Sequence, residues 1–120
     1  MELQKIECDF SVCKIKHIDR IDFEQEYIFL SKTSDEISLV CKTAHTPPDI
    51  VTSEPGWKAL RVSGVLDFEM IGVIARISNL LAEAGISIFV ISTYSTDYIL
   101  MKAENFDKGI QVLMSNGYVV

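Results

Sequence analysis

Trp57-Lys-Ala-Leu-Arg-Val-Ser63, Val73-Ile-Ala-Arg-Ile-Ser-Asn-Leu-Leu-Ala-Glu-Ala-Gly85, Ile86-Ser-Ile-Phe-Val-Ile-Ser-Thr93 and Asp97-Tyr-Ile-Leu-Met-Lys102 decide the reading of this chain. The first alternates, with Leu60 and Val62 turned inward against Arg61 and Ser63, and so predicts a half-buried strand. In the second, Val73, Ile74, Ile77, Leu80, Leu81 and Ala84 recur at helical spacing while Arg76, Asn79 and Glu83 occupy the other side, and Gly85 supplies a C-terminal stop. The third is apolar on both alternating faces, as in a strand covered on both sides or lying at an interface. Tyr94 to Thr96 turn the chain into the fourth, another strand. Phe106, Ile110 and Leu113 then mark one face of a second helix closed by Gly117, and Tyr118-Val119-Val120 reads as a short last strand.

The order from Trp57 is therefore strand, helix, strand, strand, helix, strand, the split βαβ arrangement of ferredoxin-like α+β domains. Both helices should cover one sheet face. The apolar run Ile88, Phe89, Val90, Ile91 then requires the other face to be hidden, or the sheet to be extended in a homodimer.

Upstream, Asp9 to Lys16, Glu26 to Lys32 and Glu36 to Thr43 read as strands, the last two a hairpin around Lys32-Thr-Ser-Asp35, with no convincing helix. Residues 44 to 56 hold all three prolines, which remove backbone donors and discourage helix interiors and central strands. That stretch is the expected boundary, giving a mainly β half over 1–55 and a ferredoxin-like half over 56–120.

A chain of 120 residues with 48% hydrophobic residues can bury a sizeable core. Its net charge of -6 argues against phosphate backbones and anionic membranes as partners, so neither nucleic acid nor membrane is expected. Three cysteines, and an opening Met-Glu-Leu-Gln-Lys that is no apolar targeting segment, point to a reduced, cytoplasmic setting. No apolar stretch approaches the about 20 residues that a membrane-spanning helix requires.

Motifs of catalysis are missing: there is no Gly-x-Ser-x-Gly turn, phosphate-cradling glycine loop, His-Glu-x-x-His run or Cys-x-x-Cys pair. Cys8 and Cys13, five apart, face opposite ways along a strand, so they read as core or edge thiols rather than metal ligands. His17 and His45 fall in expected loops, and Trp57 reads as an anchor in the core. No catalytic residue, metal or cofactor is nominated.

The combination of Gly64-Val-Leu-Asp-Phe-Glu-Met-Ile-Gly72-Val-Ile-Ala-Arg-Ile77, Leu81-Ala-Glu-Ala-Gly-Ile-Ser-Ile88 and Ile91-Ser-Thr-Tyr-Ser-Thr-Asp-Tyr98 resembles the ACT domain family. Within it, the chain is similar to tandem ACT-like proteins related to aspartate kinase regulatory domains and cytosolic arginine sensors. The resemblance implies a regulatory module that binds an amino acid and has no catalytic machinery. It reaches more weakly into Phe10-Ser-Val-Cys-Lys-Ile15 and Asp35-Glu-Ile-Ser-Leu-Val-Cys41, which would make the first half a degenerate ACT-like unit. There the Lys16 to Glu26 segment is too short for the helix such units normally carry.

Gly72 leads directly into the first helix, whose leading amides lack intrahelical acceptors and carry partial positive charge. Amides at Ile71, Gly72 and Val73 are therefore an anion-binding candidate, and the plainer reading is a glycine that permits a tight turn. The resemblance implies the first, with an amino acid in a crevice beside a neighbouring domain. Asp97, after Ser92, Thr93 and Tyr94, reads by itself first as a turn residue capping its own backbone and second as a partner for a cation; the resemblance implies the second, since it matches an aspartate that contacts ligand in the arginine sensors. Asp67 either joins the ligand or caps its loop, and Phe68 and Met70 are lid or core. The arginine sensors carry an acidic residue at the position aligned with Met70, so a cationic ligand side chain is less well provided for here. A pure oligomerisation module with a vestigial crevice is the competing reading, and a carboxylate-based enzyme ranks last.

Overall fold

The computed structural model describes residues 1–63 and 71–120. The elements in chain order are β1 (Leu3–Ile15), β2 (Phe29–Lys32), β3 (Ile37–Lys42), a 3₁₀ turn (Thr43–His45), β4 (Ile50–Val62), α1 (Val73–Glu83), β5 (Ile88–Ser92), β6 (Asp97–Lys102) and α2 (Ala103–Ser115). The class is α+β, as the alternation of periodicities implies.

The chain forms two compact units, one of Met1–Glu7 with Lys58–Val120 and one of Cys8–Trp57. A single cut between residues 55 and 56 does not describe this division, because the first seven residues pack with the C-terminal unit. The reason lies in β1 and β4, each 13 residues long, whose two ends serve different units. β4 also corrects the expected boundary: the strand runs through Pro55 and Gly56. Gly56 has φ 85, a bend that a residue without Cβ takes readily and that lets a strand accommodate proline. β1 starts at Leu3, well before Asp9. Leu3 and Ile6, an odd number of residues apart, are both buried, so there was no alternation to read.

In the unit built on Lys58–Val120 the strand order is β1-β4-β6-β5. β5 and β6 pair antiparallel from Ile88↔Met101 to Ser92↔Asp97. The expected last strand is reduced to one parallel bridge between Glu2 and Val119, where Leu3 N donates to Val119 O at 2.7 Å and Val119 N to Met1 O at 3.0 Å. The core gathers Leu3, Leu60 and Val62 from the sheet, Ile77 and Leu81 from α1, Ile99 and Met101 from β6, and Phe106, Ile110 and Leu113 from α2. α1 ends as read: Gly85, at φ 75, lets its own amide reach Ala82 O and that of Ile86 reach Leu81 O.

Close helix packing is visible at Gly109 of α2. A Cβ there would fall on Sδ of fully buried Met101 and meet Leu81 Cδ2 at 3.5 Å. Gly109→Val is expected to cost about 2 kcal/mol through overpacking. Urea denaturation should show the loss, and Met101→Ala in the same chain should recover part of it.

In the unit Cys8–Trp57 the order is β2-β3-β1-β4, with β3 antiparallel to both β1 and β2. Its core holds Cys13, Ile15, Ile21, Leu39 and Cys41. Among the described residues it has no α-helix, and the 3₁₀ turn stands where a helix would follow β3.

The two units repeat one another at an offset of 60 residues, since Phe29, Thr33 and Lys42 recur as Phe89, Thr93 and Lys102. β3 and β6 share one burial pattern, with Leu39, Val40 and Cys41 matching Ile99, Leu100 and Met101. The turns before them close with the same bonds: Thr33 N donates to Glu36 O at 2.9 Å, and Thr93 N to Thr96 O at 2.8 Å.

Candidate functional site

α1 begins at Gly72, whose backbone is left-handed at φ 81, with no side chain capping the helix. L-residues other than Asn and Asp rarely take that conformation, and open space surrounds the position where a Cβ would stand. Gly72 is therefore set by its backbone rather than by crowding. The first helical bond runs from Arg76 N to Gly72 O at 3.0 Å, and the amides of the preceding turn point out of the helix end.

That end opens on a cleft of about 220 Å³ lined by Met1, Ile71, Gly72, Val73, Arg76, Asn116, Gly117 and Tyr118. Arg76, one turn into the helix, donates from Nη2 to Asn116 O at 3.0 Å, and its guanidinium lies 5.4 Å from the centre of the Tyr118 ring. A fixed cation thus stands beside the positive end of the helix, and both favour an anion in the cleft. Ile71 is 92% exposed at its rim.

Of the candidates named from the sequence, Ile71, Gly72 and Val73 line this cleft, and Asp67, Phe68 and Met70 lie outside the described residues. Ser92, Thr93, Tyr94 and Asp97 do not line it: they belong to the β5–β6 turn. Asp97 opens β6 opposite Ser92 and is half-buried, while Tyr94 at the turn is 83% exposed. Thr93 donates from its amide and its hydroxyl to Thr96 O, at 2.8 and 2.9 Å. Thr96 Oγ1 donates to Val62 O at 2.7 Å, tying this turn to the last residue of β4. Residues 64 to 70 connect that strand end to Gly72 in the chain.

Sequence reasoning missed Arg76, Asn116 and Tyr118. The spacing of Arg76, four residues beyond Gly72 and so on the same side of the helix start, was the available signal. Its two contacts lie about 40 residues downstream and leave no local trace.

Residues 52–115 match the sequence profile of the ACT domain, more than half of the chain. This chain belongs to the ACT domain family. Over 71 residues it is 37% identical to the human protein described as cytosolic arginine sensor for mTORC1 subunit 1, and equally to its bovine counterpart. That match covers 56% of this chain and 22% of the relative, so the chain corresponds to about a fifth of the sensor's length. Among solved structures, a protein from Agrobacterium tumefaciens is similar at TM-score 0.86 and 24% identity, over 98% of this chain and 90% of that one. The ligand-free regulatory subunit of aspartate kinase from Thermus thermophilus is similar at TM-score 0.67 and 10% identity, over 94% and 95%. At such identities the structural likenesses establish the ACT fold. No helix among the described residues is long and apolar enough to cross a membrane.

Proposed function

We propose that this ACT protein is a non-catalytic regulatory module that binds a small molecule, most simply an amino acid, and acts as a homodimer with ligand held beside a neighbouring ACT domain. The observation that carries this reading is the left-handed Gly72 opening α1 onto a cleft that also holds Arg76. The α-carboxylate would sit on the amides at Ile71, Gly72 and Val73, and a cationic group would pair with Asp97, with Ser92, Thr93 and Tyr94 around it. Asp67, Phe68 and Met70 belong to the same proposed site. The kinship with an arginine sensor and the fold shared with a kinase regulatory subunit support regulation rather than catalysis. Ligand acts by stabilising the arrangement that it binds more tightly, which a partner then reads.

Thermal denaturation with each of the twenty amino acids tests the reading. A ligand at a hundredfold excess over its dissociation constant adds about 2.7 kcal/mol of stability. Asp97→Ala should remove that gain while leaving the unliganded protein within about 1 kcal/mol of the parent, as for a half-buried residue at a strand end. An unchanged gain removes Asp97 from the site. If no amino acid raises the melting point, the alternative takes over, a pure oligomerisation module. It draws on β5, an uncharged strand standing last in the sheet order.

A further inference from the structure

We propose that Thr96 is a positioning residue of the ligand site described above: its hydroxyl fixes the β5–β6 turn against the end of β4, from which the chain runs on to Gly72 and Val73. The functional half of this inference rests on that site; the structural half rests on hydrogen bonds alone.

Thr96 is 4% exposed, one of the few buried polar side chains among the described residues. Its hydroxyl donates to Val62 O at 2.7 Å across 34 residues of sequence. The N–H of the same peptide group, that of Ser63, donates to Glu2 O at 3.0 Å. The peptide group that ends β4 is thus held on both sides, by β1 through its N–H and by the turn through its carbonyl.

The first repeat supplies an internal control. Glu36 stands 60 residues before Thr96, at the matching place in the β2–β3 turn, and is exposed. That turn closes nonetheless, with Thr33 N and Oγ1 donating to Glu36 O at 2.9 and 3.4 Å and Glu36 N donating to Thr33 Oγ1 at 3.3 Å. The second turn closes the same way, Thr96 N donating to Thr93 Oγ1 at 3.3 Å. A hydroxyl at this position is therefore unnecessary for making the turn. What it adds, in the unit where helix α1 follows, is the bond to the strand end.

This bond holds the turn that carries Asp97 to the end of β4. Asp97 is the next residue after Thr96, and Val62 precedes the stretch that ends at Gly72. Losing the hydroxyl leaves the Val62 carbonyl without its partner and lets the turn and the strand end shift independently.

The test compares Thr96→Val, which keeps the shape and deletes the hydroxyl, with Thr96→Ser, which keeps the hydroxyl. Binding of each of the twenty amino acids, offered singly, is measured for both variants and the parent. Thr96→Val is expected to weaken whichever amino acid binds by about tenfold, which corresponds to about 1.4 kcal/mol; Thr96→Ser should restore it. Val112→Ala, a truncation of a partly buried α2 side chain, controls for lost stability and should leave affinity unchanged. Amide hydrogen exchange without ligand is the second arm: exchange at Ser63, whose amide bonds to Glu2 O on the same peptide group, should quicken in Thr96→Val and not in Thr96→Ser. Parental affinity in Thr96→Val, equal losses in both variants, or unaltered exchange in Thr96→Val overturns the proposal. A parent that binds no amino acid, with exchange responding as expected, sinks the ligand-site reading and leaves the structural link standing.

Discussion

Leu81→Ala is expected to destabilise the protein by about 3 kcal/mol. Leu81 is fully buried in the core that joins both helices to the sheet. Truncation there loses the transfer free energy of three carbons and leaves a cavity that the rigid surroundings refill only in part, a combination that costs about 2 to 5 kcal/mol for leucine. The site collapses poorly for a particular reason. Gly109 has no side chain to move into the space, and Met101 already lies over it. Urea denaturation should show a lower midpoint with an unchanged slope, because the surface exposed on unfolding is nearly the same. Leu80→Ala, on the partly buried side of the same turn, should cost clearly less.

The second large effect is a loss of stability in alkali. Burial raises the Cys41 thiol from 9.0 to about 11, reinforced by the charge of a neighbouring Cys13 thiolate and only partly opposed by a hydrogen bond with Thr46. Burial also raises Cys13, against hydrogen bonds with Thr46 and Cys41. A raised thiol favours the protonated form in the folded chain. Its contribution is therefore complete below pH 9, where the unfolded chain is also protonated, and disappears as pH climbs through about 11. Cys41 alone accounts for a fall of order 2 to 3 kcal/mol across that window. Denaturation midpoints measured from pH 8 upward should bend down above about pH 9. In Cys41→Ala the bend should shrink, at the expense of a lower plateau from lost packing. At neutral pH both thiols should resist alkylating reagents until the protein unfolds, since the reactive thiolate is scarce and covered.

The legible part of the fold was the part whose burial is one-sided. α1 shows its apolar stripe because one face meets the sheet and the other meets water, and Gly85 sits where the helix stops. The β2–β3 hairpin was likewise read from β-branched and aromatic runs around turn residues, and β6 from the turn at Tyr94 to Thr96 that leads into it. The first halves of β1 and β4 escaped for opposite reasons. The start of β1 buries Leu3 and Ile6 at an odd spacing amid Gln4, Lys5 and Glu7, so it looks polar and aperiodic. β4 hides behind Pro55 and Gly56, which punctuate a sequence but here only bend a strand.

The 60-residue repeat was available all along in Ile28/Ile88, Phe29/Phe89, Thr33/Thr93, Lys42/Lys102 and Ile50/Ile110, but five identities are faint without the matching turns beside them. Of the candidate site, Gly72 could be found because a helix start is a local event. Arg76 with Asn116 and Tyr118, and Thr96 with Val62, are pairings across 34 to 42 residues that only a folded chain reveals.

The contacts of Met1 and Leu3 with Val119 carry a consequence for how the protein comes into being. During synthesis, residues 1–7 precede the other strands and the helices of their unit, and Val119 follows all of them. Cys8–Trp57 is complete before any of Lys58–Val120 exists. Glu2 can meet Ser63 once β4 is made, but the bonds of Met1 and Leu3 to Val119 must wait until that residue is translated. Closure across more than 100 residues raises contact order and slows the folding of this unit. A nascent chain stalled before Val119 should accordingly show protection from protease in its Cys8–Trp57 part well before its first residues acquire any.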